Sequence, residues 1–380
     1  MSEDIRPLHV GKFVPPPYAG VEAHVDTLLR ALLPQIRGTL VAGESETANL
    51  DAVQHPYRVL TARSFGKFAS ATMSPGVLSL VRKELSSQRC NLLHIHAPNP
   101  WGDAAILTGA GNAPVVMTWH SDIVRQKQLL KFYRPIQLQA LKRADRIVVF
   151  TPKHYESSEQ LHQIDLASKI VHVPIGIDFS LLEKGNASLT TLKRLDEFAS
   201  GRPLLLTVGR HVYYKGYEHL LSAMATLQTD TVLVMVGAGP LTDVLKRQAV
   251  ESGIDHRVLF LGEVDHPTLV AAFHRCDVFC LPSIAPSEAF GIASAEAMAC
   301  GKPTVVCELN NGVNYLNQAG TTGLTVAPCD VPALADAIDT LMLNDNLRLS
   351  LGRAANDWVR AQFSIQAMRD GTVQMYCQLL

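Results

Sequence analysis

Two successive series of short apolar runs, each run separated from the next by a helix-like pattern, constrain this 380-residue chain more than any other feature. Such alternation is what parallel strands joined by crossover helices look like in sequence. The first series is Leu8–Val14, Gly38–Val41, Leu92–Ile95, Val115–Trp119, Arg146–Phe150 and Ile170–Val173. The second is Pro203–Val208, Thr231–Val236, Val258–Leu261, Val278–Leu281, Thr304–Val306 and Gly323–Val326. Each series suffices for one doubly wound sheet, and the length fits two domains of ordinary size. The chain repeats its own architecture.

Between the series, Gly176–Gly201 carries Gly185, Asn186 and several Ser/Thr residues before the charged stretch TTLKRLDEF, and reads as the linker. The expected domains are residues 1–180 and 181–362, with a helical tail from Leu334 that breaks near Phe363–Ser364. Hydrophobic residues make up 47% and charged residues 18%, a globular composition. The net charge of −1 supplies no field for nucleic acid. It is divided unevenly, +4 over residues 1–180 and −5 over the rest, so the first domain suits an anionic partner such as a lipid diphosphate or a membrane surface. Ordinary scatter of solvated charge gives the same imbalance.

The seven cysteines, Cys90, Cys276, Cys280, Cys300, Cys307, Cys329 and Cys377, form no Cys-x-x-Cys pair, and most sit in apolar runs expected to bury them. The N-terminus lacks an apolar signal region, and no run is long enough to span a bilayer. A cytoplasmic protein is expected.

Three stretches carry chemistry. In HVGKFVPPPYAGVEAHVDTLLRAL the first strand runs through a Pro-rich loop and Gly20 into a helix, a turn that aims free backbone N–H groups at an anion. In TVGRHVYYKGYEHLL, Arg210 and Lys215 follow the first strand of the second series, where parallel sheets bind ligands. An Arg–Lys pair suits a diphosphate; a solvated basic loop has the same composition. In SEAFGIASAEAMACGKPTVV, Glu288 and Glu296 stand eight positions apart around a helix that begins near Phe290 and Gly291. Eight helical residues rise about 12 Å, so the carboxylates cannot form a close acid–base dyad. They suit hydroxyls at two ends of one long ligand, with the N–H groups of Gly291 and Ile292 facing phosphates between them.

MTWHSD places His120 at a strand end, where its imidazole can meet a sugar hydroxyl or polarise a reacting centre. HIHAP puts His94 and His96 on one strand face, but no third residue stands at metal-ligand spacing. No Asp-x-Asp occurs, so no carboxylate cage for Mg²⁺ or Mn²⁺ is expected. VGAGPLT offers Gly237 and Gly239 after a strand, the start of a dinucleotide fingerprint whose third glycine position is Thr242.

Taken together and in this order, these motifs resemble glycosyltransferase family 4 over nearly the whole chain. The resemblance implies a retaining enzyme of GT-B fold, with two Rossmann-like doubly wound domains facing each other across a cleft and a last helix, 363–380, packing back on the first domain. It gives Glu296 the nucleotide ribose, Glu288 the donor-sugar hydroxyls, Arg210 and Lys215 the diphosphate, Gly20 a glycine loop near the phosphates, and His120 a place beside the donor sugar. Phe290, Gly291 and Ile292 fall within the donor site, and the backbone from Gly262 to Val264 in FLGEVDH receives the base. The chain has Ala19-Gly20 where many relatives have two glycines, and NNGVNYLNQAGTTGLTV lacks a glutamate common there, in a form similar to some bacterial mannosyltransferases.

The resemblance is nearest to exopolysaccharide and O-antigen enzymes of the xanthan type. It implies transfer of a hexose, mannose from GDP-mannose, onto a polyprenyl-diphosphate-linked oligosaccharide, with no cofactor or metal. A UDP-sugar donor or a soluble acceptor is the alternative within the family; an NAD-dependent dehydrogenase or an inactive sugar-binding protein is the alternative outside it. In DIVRQKQLLKFYRPIQLQALKR, the basic residues Arg125, Lys127, Lys131, Arg134, Lys142 and Arg143 are interleaved with Leu129, Leu130, Phe132 and Tyr133. That pattern suits a helix lying peripherally on the inner membrane surface, and equally an ordinary packing helix.

Overall fold

The computed structural model describes residues 4–15, 20–44, 54–68, 71–123 and 127–380. Ala19, Arg125 and the Lys127 side chain lie outside them. The described chain divides into two compact units, Met1–Gly176 with Ile365–Leu380, and Ile177–Ser364.

In the first unit the strands are β1 (Pro7–Phe13), β2 (Thr39–Gly43), β3 (Arg58–Ala62), a small antiparallel pair β4 (Lys67–Phe68) and β5 (Ala71–Thr72), β6 (Leu92–Ala97), β7 (Val115–Trp119), β8 (Arg146–Val149) and β9 (Ile170–His172). Its helices are α1 (Gly20–Leu32), α2 (Gly76–Ser86), α3 (Pro100–Gly109), α4 (Lys127–Arg143) and α5 (Pro152–Glu156). The seven-stranded sheet runs β3-β2-β1-β6-β7-β8-β9, with every pair parallel. The second unit holds α6 (Leu189–Ala199), β10 (Leu204–Val208), α7 (Tyr217–Met224), β11 (Val232–Val236), α8 (Thr242–Glu251), β12 (Val258–Gly262), α9 (His266–Arg275), β13 (Val278–Leu281), α10 (Ile292–Ala299), β14 (Thr304–Cys307), α11 (Gly312–Leu316), β15 (Gly323–Val326), α12 (Val331–Leu343) and α13 (Asp345–Gln362). Its six-stranded parallel sheet runs β12-β11-β10-β13-β14-β15. Helices cover these sheets, so the central strands are fully buried on both faces, in the first sheet with histidines on one of them.

Helix starts follow the local chemistry. Asn99, Thr151, Ser188, Asp265 and Asp330 each accept a backbone N–H of the following turn, and proline enters the first turn in four of the five cases.

The last helix, α14 (Ile365–Cys377), belongs to the first unit. Met368, Met375 and Tyr376 pack there with Leu28, Leu32, Leu92, Val116 and Val173, closing one face of the sheet. Met368, Met375 and Tyr376 repeat with helical spacing, which is why one stripe of α14 is buried. Ile177 donates its N–H to the Phe363 carbonyl at 2.8 Å, so the outgoing and returning stretches of chain are tied side by side.

Of the cysteines, Cys90, Cys276, Cys280 and Cys307 are buried as expected, whereas Cys329 and Cys377 are exposed. Both stand outside the strands: Cys329 in the turn before α12 and Cys377 at the end of α14.

Candidate active site

In the second unit the chain order reverses between the neighbouring strands β10 and β13, leaving a crevice beyond their C-terminal ends where doubly wound sheets bind ligands. The loop after β10 carries Arg210 and Lys215, and the loop after β13 carries Glu288. Lys215 Nζ stands 2.5 Å from Glu288 Oε2, with both side chains 12% exposed. Ser283 Oγ donates to the same carboxylate oxygen at 3.2 Å. Burial works to lower the lysine's pKa, but the adjacent Glu288 carboxylate outweighs it, so the ammonium is held above its ordinary value. Arg210, in the same loop as Lys215, is exposed.

Gly216 makes the pairing possible. It adopts φ +64°, and a Cβ there would lie 2.2 Å from the Pro282 carbonyl oxygen, so the loops after β10 and β13 touch backbone to backbone. Gly216→Ala should cost at least about 2 kcal/mol, because it combines left-handed strain with a clash against an immobile carbonyl. Urea unfolding checks it; a midpoint equal to the parent's would contradict the packing.

The Glu288 loop is itself braced, since Asn311 Nδ2 donates to the Glu288 carbonyl at 2.8 Å. It ends at Gly291, which caps α10 with φ +84° and no side-chain partner. In the first turn of α10 the N–H groups of Ser294 and Ala295 bond to the Gly291 carbonyl, while those of Ile292 and Ala293 precede any intrahelical acceptor and present the positive end of the helix. Phe290 is buried with its ring 5.0 Å from that of Phe363, so only its backbone is available to a ligand. Glu296 lies in the second turn of α10, half-buried. Burial pushes its carboxyl up to about 7, and it forms no ion pair among the described residues. A carboxylate in that state gains from hydroxyl donors.

Gly262 ends β12 with φ +72°, and a Cβ there would meet nothing; it and Val264 line the end of the strand beside β11. Gly237 and Gly239 have a different use. A Cβ on Gly237 would stand 2.2 Å from the Gly209 carbonyl oxygen, and one on Gly239 2.5 Å from that of His211, so these glycines let two turns pack rather than cradle a dinucleotide. In NQAGTTGL, Asn317 Oδ1 accepts from Ser294 Oγ at 2.9 Å and from Thr304 Oγ1 at 2.6 Å. That side chain ties α10 to β14 and supports the site from behind.

In the first unit, Gly20 opens α1, and a Cβ on it would meet nothing within 4 Å. Lys12, at the end of β1, and Glu22, in the first turn of α1, are two largely buried charged side chains that sequence reasoning passed over. Burial lowers the lysine's pKa and Glu22 opposes this; burial raises that of Glu22, against its own backbone N–H and Lys12. His120 follows β7 and is 8% exposed. Its loop is anchored by Asp122, which accepts from Trp119 Nε1 at 2.9 Å and from Ser158 Oγ at 2.5 Å.

Sequence spacing offers His94 and His96 no third neighbour of ligand type, but the fold brings further histidines to them. His9 pairs with His94 across β1 and β6, and His9, His94 and His96 form one close group. His24, His96 and His120 form another. The additional rings come from other strands and from α1, which sequence spacing cannot reveal. Burial holds all of them neutral: His9 falls to about 3 and His24 to about 4, and His94, His96 and His120 lie well below the ordinary value. No carboxylate belongs to either group.

Residues 18–181 match the family model Glycosyltransferase Family 4, and residues 191–358 match Glycosyl transferases group 1. The chain belongs to glycosyltransferase family 4. This transferase is 29% identical to O-antigen chain mannosyltransferase C of Escherichia coli over 99% of both chains. It is 34% identical to D-rhamnosyltransferase WbpZ of Pseudomonas aeruginosa over 78% of this chain and 76% of that one. With the phosphatidyl-myo-inositol mannosyltransferase of Mycobacterium leprae it shares 30% over 90% and 88%. Sucrose-phosphate synthase from Thermosynechococcus elongatus superposes with a TM-score of 0.82 at 22% identity, covering 99% of each chain. Anabaena Alr3699/HepE in complex with UDP and glucose superposes at 0.79 and 18%, covering 98% and 100%. The two Rossmann-like parallel-sheet units are therefore those of the GT-B architecture, and the dehydrogenase reading falls with the packing role of Gly237 and Gly239.

Proposed function

We propose that the transferase moves mannose from GDP-mannose, with retention of configuration, onto a polyprenyl-diphosphate-linked oligosaccharide. The observation that carries the donor half of this reading is the Lys215–Glu288 pair beside the unsatisfied N-terminus of α10. The donor's diphosphate draws Lys215 and Arg210 to itself, with the N–H groups of Gly291 and Ile292 on its other side, and these cations and dipoles meet the charge that develops as it departs. Glu288, released from Lys215, takes donor-sugar hydroxyls. Glu296 takes the ribose, whose hydroxyls settle a carboxyl poised near neutrality. Gly262 to Val264 receives the base, and Gly20, where a Cβ would meet no described atom within 4 Å, lets a phosphate approach the start of α1. His120 contacts the transferred sugar. No carboxylate is assigned as a nucleophile, so attack by the acceptor hydroxyl on the face the diphosphate leaves is the proposed route.

The mannose reading leans on the mannosyltransferase names among the relatives; the rhamnosyltransferase name at 34% identity and the UDP-bound fold neighbour supply the competing donors. Thermal shift discriminates them. GDP-mannose at a hundred times its Kd should stabilise the protein by about 2.7 kcal/mol, in EDTA as well as in Mg²⁺, and UDP-glucose should not. Stabilisation by UDP-glucose alone, or loss of the GDP-mannose effect in EDTA, contradicts the reading.

The acceptor half places α4 at a membrane surface, with a correction to the expected basic face. Arg134 is buried and bonded to Gln137, Gln163 and the Gln160 carbonyl, Tyr133 is bonded to Asp103, and Arg143 is bonded to Asp145 and two carbonyls. What faces out is Leu129, Phe132 and Ile136, at 42%, 83% and 43% exposure and on one helical stripe, together with Lys131 and Lys142. No described helix is long and apolar enough to cross a membrane. Phe132→Glu should weaken binding to anionic vesicles about tenfold or more while leaving turnover of a soluble acceptor analogue unchanged. Vesicle binding equal to the parent's contradicts the assignment.

A further inference from the structure

Inside the first unit, hydrogen bonds connect side chains from five segments into a single line. His120 Nε2 lies 3.1 Å from His96 Nδ1, His96 Nε2 lies 3.0 Å from His9 Nδ1, and His9 Nε2 lies 3.3 Å from the Tyr376 hydroxyl. That hydroxyl lies 2.5 Å from His94 Nδ1, and His94 Nε2 lies 2.7 Å from Thr118 Oγ1. The line starts beside the loop after β7 and turns at Tyr376 on α14.

Each ring is neutral and so has one N–H and one lone pair. Because each of His9, His94 and His96 uses both nitrogens in the line, setting the direction of one bond sets all the others. The unequal contacts of Tyr376 set it. A bond of 2.5 Å is that of a phenol O–H donating to an imidazole lone pair, and one of 3.3 Å is that of an imidazole N–H donating to a phenol oxygen. His94 then carries its hydrogen on Nε2 and donates to Thr118. His9 carries its own on Nε2 and accepts on Nδ1 from His96 Nε2–H. His96 accepts on Nδ1 from His120 Nε2–H. The tautomers are assigned from these distances. His120 is left with a lone pair on Nδ1, which has no hydrogen-bond partner among the described residues.

We infer that Tyr376, acting through His9 and His96, fixes His120 as the Nε2–H tautomer, so that His120 meets its substrate as a hydrogen-bond acceptor selecting a hydroxyl. Tyr376, His9 and His96 are positioning residues, and no proton is transferred. The inference rests on the reading of His120 as a sugar contact, but the tautomer stands or falls separately. It gives α14, the last helix of the chain, a part in the chemistry of the loop after β7.

Two-bond ¹H–¹⁵N NMR on the full-length protein labelled with ¹⁵N-histidine, at pH 7.5 without donor, reads the tautomer of each ring. His120 should be Nε2–H in the parent and a mixture of tautomers in Tyr376→Phe, with kcat down about tenfold and KM unchanged. His9→Phe cuts the line at its next link and should move His120 in the same way; it serves if Tyr376→Phe does not fold. An Nδ1–H tautomer in the parent, or an unmoved His120 in a folded variant, overturns the inference. A tautomer that shifts while transfer is unaffected upholds the line and instead removes His120 from the transfer site.

Discussion

Lys215→Ala should lower kcat by a factor on the order of 10² to 10³, the usual cost of removing one preorganised group aimed at developing charge. The expectation follows from burial as much as from charge: Lys215 is 12% exposed and held protonated by Glu288, so its ammonium is charged and largely desolvated before the donor draws it from that carboxylate. Glu288→Ala should reduce kcat comparably for a different reason, because it leaves Lys215 without its partner and removes a contact to the sugar. The two substitutions should not be additive. If Glu288 acted only by holding Lys215, the double variant would equal Lys215→Ala; a further loss measures its separate contact with the donor. Removing one member of so enclosed a pair should also cost about 3 kcal/mol of stability, read from thermal unfolding of the same variants. Near-normal turnover by folded Lys215→Ala would remove the diphosphate assignment.

Lowering the pH from 7.5 to 5.5 should unfold the first unit selectively. His9, His24, His94, His96, His120 and His154 are all held below the ordinary histidine value by burial, so the native unit binds fewer protons than the unfolded chain at mild acidity. Groups with depressed pKa contribute stability that is present above the unfolded value and is lost as the pH falls toward the folded one. At pH 5.5 each costs ~1.4 kcal/mol, or ~8 kcal/mol for the six. Asp103 works the other way: burial raises it to about 7, so acidification relieves a strain worth about 2 kcal/mol over the same range. Glu22, also raised by burial, acts in the same sense as Asp103. The net loss, about 6 kcal/mol before the smaller Glu22 contribution, is comparable to the whole stability of a domain. Hydrogen exchange at stepped pH should show the amides of β1, β6 and β7 losing protection together below about pH 6 while those of β10 and β13 keep theirs. Equal protection at pH 7.5 and 5.5 would contradict the neutral state of the histidine cluster.

The two parallel sheets were legible because strands buried on both faces become apolar runs, and the repeat of those runs displayed two units. β3 was missed: Arg58–Ala62, at the sheet edge, carries Arg58 and Thr61 exposed and lacks the continuous apolar signal. The donor-side residues were legible because they stand at strand ends followed by a glycine turn, a local arrangement. Their relation was not, since Lys215 and Glu288 are brought together by the adjacency of β10 and β13, which sequence order conceals. The same holds more strongly for the histidines, which arrive on β1, α1, β6 and the loop after β7, with His94 bonded to a tyrosine 282 positions away. For α4 the error has another origin: composition counts arginines but cannot say which are already bonded, and Arg134 is buried while Arg143 is tied to Asp145 and two carbonyls.

The central claim, retaining transfer of mannose from GDP-mannose onto a lipid diphosphate oligosaccharide, is tested most directly by the product. Purified transferase, GDP-mannose and a polyprenyl-diphosphate-linked oligosaccharide should yield, in EDTA, an oligosaccharide longer by one mannose whose one-bond C1–H1 coupling identifies an α linkage. A β linkage, or extension with UDP-glucose but not with GDP-mannose, would contradict it.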